Sequence, residues 1–158
     1  MAMRIDQELA DFIASPVMMI VGTRDRANRA EIGRGVGAWS VPDASAVEIV
    51  VSAWQWGATV ANLRDTGAAA ITFTRPVDYV SYQVKGRALV GEAPPAARDR
   101  SARYIAAMTE ALAALGVTPA MSSLWLSGRE PVLVRLAIEA VFHQTPGPRA
   151  GKEVEAER

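Results

Sequence analysis

One ordered stretch, residues 29–90, constrains this chain more than any other feature. It reads as a strand over 29–39, a strand over Ala46–Ser52, a short helix over Gly57–Asp65, a strand over Ala68–Thr74 and a strand over 79–90. Val47, Ile49 and Val51 alternate with Glu48, Val50 and Ser52, and Ala69, Ile71 and Phe73 share one face of the next strand. That period of two is the signature of half-buried sheet. In the short helix Val60 and Leu63 face inward, and Gly67 ends it. A parallel sheet needs a crossover helix between nearly every pair of strands, and only one pair here has one. The pattern therefore predicts mainly antiparallel β structure.

The strand over 29–39 is unusual. Alternation puts Ile32, Arg34, Val36 and Ala38 on one face, and Glu31, Gly33, Gly35, Gly37 and Trp39 on the other. Three alternate glycines weaken a strand unless a backbone or a flat ligand must come close. A strongly coiled neighbouring strand or a flat ligand would each meet that need.

The rest of the chain supplies edges for this core. Asp6 can cap a first helix carrying Leu9, Phe12 and Ile13 on one face, and Ser15-Pro16 ends it. Residues 17–23 form an apolar, β-branched run that reads as a buried strand. Pro94-Pro95 breaks the strand before it, and a helix is expected over about 97–115, stopped by Gly116. Residues 119–130 are irregular, and a last strand over 132–142 turns Val134, Leu136, Ile138, Ala140 and Phe142 inward. The expectation is mainly β with peripheral helices, a six-stranded closed or partly closed barrel. It forms one domain over 1–145, followed by a turn-rich, flexible tail over 146–158.

Composition removes several function classes. The 158 residues carry 17 basic and 17 acidic side chains, without the basic excess of a nucleic-acid module. There is no cysteine, which excludes disulfides, thiolate catalysis and cysteine-held metals. His143 is the single histidine, so a multi-histidine metal site within one chain is excluded. No apolar run reaches membrane-spanning length, and the polar start of the chain points to the cytoplasm.

Strand order and spacing together resemble the pyridoxamine 5′-phosphate oxidase-like FMN-binding split barrels. The carriers are Arg34 in the glycine-bearing strand, the run Ile49, Val50, Val51, Ser52, the run 62–67 before Ala69, Ile71 and Phe73, and the segment 82–88. The resemblance covers roughly residues 15–90. It implies a homodimer with FMN in clefts at the subunit interface, and oxidoreductase activity on a small molecule. It places Arg34 and Ser52 at the phosphate and Ser81 near the flavin ring. The lysine expected on the second strand is replaced by Trp39, and the basic pair opening the short helix by Ala58 and Thr59. An FMN phosphate carries nearly two negative charges, so these replacements remove much of its electrostatic holding. They also fit a deazaflavin or no cofactor, and a non-enzymatic carrier or sensor of flavin, deazaflavin or haem.

Each candidate residue has an ordinary reading beside the sharp one. Arg34 either clamps a phosphate or pairs with a neighbouring acid. Ser52, Thr59 and Asn62 either donate to phosphate oxygens or cap the helix start. Trp54, beside Gln55 and Trp56 on one loop, either stacks on a flavin ring and walls a pocket or simply buries apolar area. Lys85 belongs to the polar strand face of Ser81, Gln83 and Arg87, which meets a ligand, a subunit or water. Trp125 packs or lids the cleft. No acid–base dyad or triad is present, and flavin chemistry requires none.

Overall fold

The computed structural model describes residues 3–155. Six strands, all antiparallel, close into a barrel in the order β1-β2-β3-β6-β5-β4. They are β1 (Met18–Arg24), β2 (Ala30–Ser40), β3 (Ala46–Ser52), β4 (Ala68–Thr74), β5 (Ser81–Glu92) and β6 (Pro131–His143). The helices are α1 (Gln7–Ala14), α2 (Gly57–Asp65), α3 (Pro95–Ala113) and the single turn α4 (Pro119–Ser122). The expected split-barrel architecture is what the chain forms.

Local chemistry sets the helix ends. The carboxylate of Asp6 accepts from the Leu9 N–H at 2.7 Å, and the Ser15 N–H closes the other end of α1 on the Phe12 carbonyl. Pro95 opens α3 rather than breaking it, since proline lacks only an N–H that the first turn leaves free. Gly67 follows α2 with φ +65°, a left-handed value that favours glycine.

The barrel interior is filled by Val21, Val36, Ile49, Ile71, Phe73 and Leu136, all almost wholly buried. Each contributes roughly 1.5–3 kcal/mol by leaving water. Because β4 pairs with β1 rather than with β3, α2 must cross one end of the barrel, where Val60 and Leu63 plug it. Among the described residues no helix is long and apolar enough to cross a membrane.

Two bulges change which side chains face inward. The β2–β3 register shifts between Gly35 and Ala38, and Gly37 takes φ +134° there. Before the shift Gly33 and Gly35 face the core, while Ile32 is 62% exposed; within it Val36, and after it Ala38, are buried. The uniform faces expected of this strand are therefore corrected. The inward glycine sites meet protein: a Cβ at Gly35 would stand 2.8 Å from Ile49 and 2.9 Å from the Met19 sulfur. In β6 a second shift, between Lys85 and Gly86 on the partner strand, leaves Glu139 as the extra residue and turns Val141 inward. Ala140 and Phe142, expected inside, are only partly buried. Gly86 permits the close approach, since a Cβ there would lie 1.8 Å from the Ala137 carbonyl oxygen.

Residues 146–155, read from their turn residues as a tail, fold back on β6. The Gly151 N–H donates to the His143 carbonyl at 2.7 Å and the Val154 N–H to the Val141 carbonyl at 2.8 Å.

Candidate functional site

Arg34 and Ser52 lie side by side. Their strands pair at Gly35 and Val51, one residue away on each. The chain then turns through Trp54, Gln55 and Trp56 into α2, whose start has no side-chain cap. The N–H groups of its first turn are thus left for another acceptor.

Residues 124–130, part of the stretch read as irregular and carrying Trp125, run along this loop. The Ser52 hydroxyl, fully buried, donates to the Arg129 carbonyl at 2.6 Å. The Gln55 side-chain amide donates to the Leu124 carbonyl. The Ala53 N–H donates to the Glu130 carbonyl at 2.9 Å, with Glu130 in a left-handed turn at φ +49°. Trp125 lies under the Arg34 guanidinium, 5.3 Å from ring centroid to carbon, and the Arg129 guanidinium lies 4.5 Å over the Trp54 ring. Stacking uses the face of a guanidinium and leaves its N–H edge free. Neither Arg34 nor Arg129 has an ion-pair partner among the described residues. The buried Gln55 Oε1, Trp56 Nε1 and Thr59 Oγ1 also lack hydrogen-bond partners.

A separate cleft of about 500 Å³ lies between the end of α1, β2 and α3. Gly37, Trp39, Arg100, Arg103 and Tyr104 line it. The Arg100 guanidinium sits 4.6 Å over the Trp39 ring, and the Trp39 indole N–H donates to Glu48 at 2.7 Å. The Tyr104 hydroxyl donates to the Val17 carbonyl at 2.6 Å. Burial pushes its pKa well above the usual tyrosine value, with nearby Arg34 acting weakly the other way.

The remaining sequence candidates occupy other surroundings. Thr59 is 1% exposed and packs its hydroxyl against Gly33, where a Cβ would come within 2.5 Å. The Asn62 amide donates to the Thr23 hydroxyl at 3.2 Å. Ser81 is buried, its hydroxyl bonded to Thr74 at 2.8 Å and to the Tyr79 carbonyl at 2.9 Å. Lys85 stands on the outer face of the barrel, 4.7 Å over Phe142. Going round the barrel from β2 through β1 and β4, β5 is the third strand step, so Lys85 stands three strands from Arg34. Lys85 borders an open concavity of about 420 Å³ that also exposes Glu31, Ile32 and Arg87.

Arg34, Ser52, Trp54 and Gln55 therefore come together, with Thr59 buried against Gly33 at the start of α2, whereas Asn62, Ser81 and Lys85 each sit in a separate setting. Arg100, Arg103, Tyr104 and Arg129 were not anticipated. The only sequence cue for Arg100 and Arg103 is their i,i+3 spacing on one helix.

The barrel, its strand order and its helix-crossed end are those of the split-barrel fold of pyridoxamine 5′-phosphate oxidase-like proteins. Solved structures show the likeness across nearly whole chains. A pyridoxamine 5′-phosphate oxidase candidate from Lactobacillus delbrueckii superposes with a TM-score of 0.55 at 16% identity, covering 88% of this chain and 93% of that one. An F420 reductase superposes at 0.51 with 10% identity, covering 87% and 98%. HutZ, the haem storage protein of Vibrio cholerae, superposes at 0.52 with 15% identity, covering 89% and 84%. No protein-family model and no curated protein sequence matches the chain. The shared property is the fold.

Proposed function

We propose that the protein is a flavin-binding oxidoreductase that holds FMN at the group formed by Arg34 and the 52–59 loop, as a homodimer. The observation that carries this reading is the concentration of unused hydrogen-bonding capacity there. The Arg34 edge is free, α2 starts uncapped, and the Trp56 Nε1 donor is buried without a partner. Buried polar groups are normally satisfied, so a cluster of unsatisfied ones fits a polar ligand. A phosphate suits this donor set: a guanidinium fork, and helix N–H groups carrying the positive end of the dipole.

Bound flavin would supply hydride and electron transfer. The chain's own residues bind, orient and shield. Trp54, 52% exposed on the loop, offers a stacking face, and Arg100 and Arg103 make the separate cleft attractive to an anionic substrate.

The homodimer part rests on the outer face around Lys85. Ile20 and Ile32 are 37% and 62% exposed there, on one continuous sheet surface beside Gly22 and Ala70. A second copy packed on this face would bury both isoleucines.

Absorbance and mass spectra of the purified protein test the cofactor. A yellow protein releasing FMN supports the proposal. A colourless protein that takes up neither FMN nor deazaflavin on addition refutes it. A second reading, a non-enzymatic carrier or sensor of flavin, deazaflavin or haem, is favoured by the absence of cations at Trp39, Ala58 and Thr59. It predicts ligand binding with no NAD(P)H-linked turnover, and sustained turnover would count against it.

A further inference from the structure

We propose that Arg129 is the second cation of the phosphate end of this site, with Ser52 and Gln55 acting as latches that position it. The inference rests on the flavin reading above and assigns the charge that reading lacks.

The argument starts from hydrogen-bond capacity. Phosphate oxygens need donors. The Ser52 hydroxyl has one proton and gives it to the Arg129 carbonyl; its oxygen meanwhile accepts from the Gln55 N–H at 3.3 Å. Nothing remains for Ser52 to donate. Gln55 spends an amide N–H on the Leu124 carbonyl, and its unpartnered atom is the acceptor Oε1, which a phosphate would repel. Ser52 therefore holds residues 124–130 rather than a phosphate, and Gln55 grips the same segment. With Ala53, they grip that segment at three carbonyls: Leu124, Arg129 and Glu130.

Turning three carbonyls inward directs side chains of the segment to the loop's outer side. Trp125 reaches Arg34, and Arg129 reaches Trp54. Arg129 is exposed and free of any carboxylate among the described residues. Its guanidinium stacks on Trp54, three residues before α2 begins, and Ala58 and Thr59 in the first turn of that helix offer no charge. Arg34 and Arg129 together bring two positive charges to the two negative charges of a phosphomonoester.

The test compares FMN with riboflavin, which lacks the phosphate, by flavin fluorescence titration of the full chain. The wild type should prefer FMN. Arg129→Gln should weaken FMN by about tenfold or more, the scale of a charge-assisted hydrogen bond, and leave riboflavin unchanged. Arg129→Lys should restore part of the preference. Ser52→Ala should reduce it too, with faster amide hydrogen exchange across residues 124–130. The inference is overturned if Arg129→Gln keeps the FMN-to-riboflavin ratio, or if Ser52→Ala weakens FMN without loosening that segment. Equal binding of the two flavins by the wild type would overturn it while leaving the flavin reading intact; binding of neither would end both.

Discussion

Gly33→Ala probes the fit between α2 and β2, on which the placement of the 52–59 loop depends. A Cβ at position 33 would stand 2.5 Å from the Thr59 hydroxyl oxygen and 3.0 Å from its Cβ. Both are repulsive separations. Thr59 is 1% exposed, so its side chain has nowhere to turn and the helix must shift. Overpacking of this kind costs about 1–3 kcal/mol. Gly33 lies in ordinary strand backbone outside the left-handed region, so alanine also gains back about 0.4–1 kcal/mol by restricting the unfolded chain. The net expectation is a loss of about 1–2 kcal/mol, or a Tm lower by roughly 3–6 °C for a chain of this size. Thr59→Ala alone removes a buried methyl, costing about 1 kcal/mol. It also removes an unpartnered hydroxyl, which returns a similar amount, so this variant should stay within about 1 kcal/mol of wild type. The double variant relieves the oxygen clash and should recover at least about 1 kcal/mol of the Gly33→Ala loss. Urea denaturation of the four proteins measures the cycle. A Gly33→Ala protein as stable as wild type, or a coupling energy below about 0.3 kcal/mol, would refute the packing argument.

Gly86→Ala should be far more damaging. Its Cβ would overlap the Ala137 carbonyl at 1.8 Å, and the β5–β6 bulge cannot yield without breaking the ladder, so little folded protein is expected by circular dichroism. Tyr104 makes stability pH-dependent at the alkaline end. Burial keeps the phenol protonated in the folded chain, while in the unfolded chain it ionises near its ordinary value of about 10. The folded state therefore binds more protons above about pH 10, and stability should fall as pH rises through that range. Tyr104→Phe should remove this alkaline slope while costing about 1–3 kcal/mol at neutral pH for the unpaired Val17 carbonyl, both readable in urea midpoints. Ile32→Arg on the outer face should turn a dimeric species into monomers in light scattering without unfolding the barrel, since Ile32 is 62% exposed within one protomer.

The strand order was legible because it is written in periodicity: Ala69, Ile71 and Phe73 alternate cleanly and are buried as expected. The faces of β2 and β6 were not. A bulge adds one residue to one strand, and the hydrophobic pattern of Gly33 to Ala38 carries no mark of it until the partner strand is known. The close approach implied by the glycines is real, but it is made by Thr59, Ile49 and Met19. The site was half legible. Arg34 and Ser52 are brought together by strand pairing, a consequence of order. Arg129 reaches the same place from 77 residues beyond Ser52, through backbone carbonyl contacts that depend on no residue type in the segment. Only the folded chain reveals that kind of proximity.

On the proposed reading, cations missing from their expected positions are supplied from other elements. This predicts the outcome of restoring one. Trp39→Lys would reinstate the lysine that the resemblance expects on β2. In this chain, however, the position faces Glu48, which accepts the Trp39 indole N–H at 2.7 Å, and lies under Arg100 at 4.6 Å. A lysine there would be drawn to Glu48, already 3.9 Å from Arg135, and repelled by Arg100. Its charge would be consumed locally, and the lost indole area would cost about 1–2 kcal/mol at this half-buried site. FMN affinity should therefore stay within about twofold of wild type, under 0.5 kcal/mol, while the urea midpoint falls. A Trp39→Lys protein that bound FMN tenfold more tightly would show that the phosphate lies at the Trp39 end of β2. The assignment of its second charge to Arg129 would then be wrong.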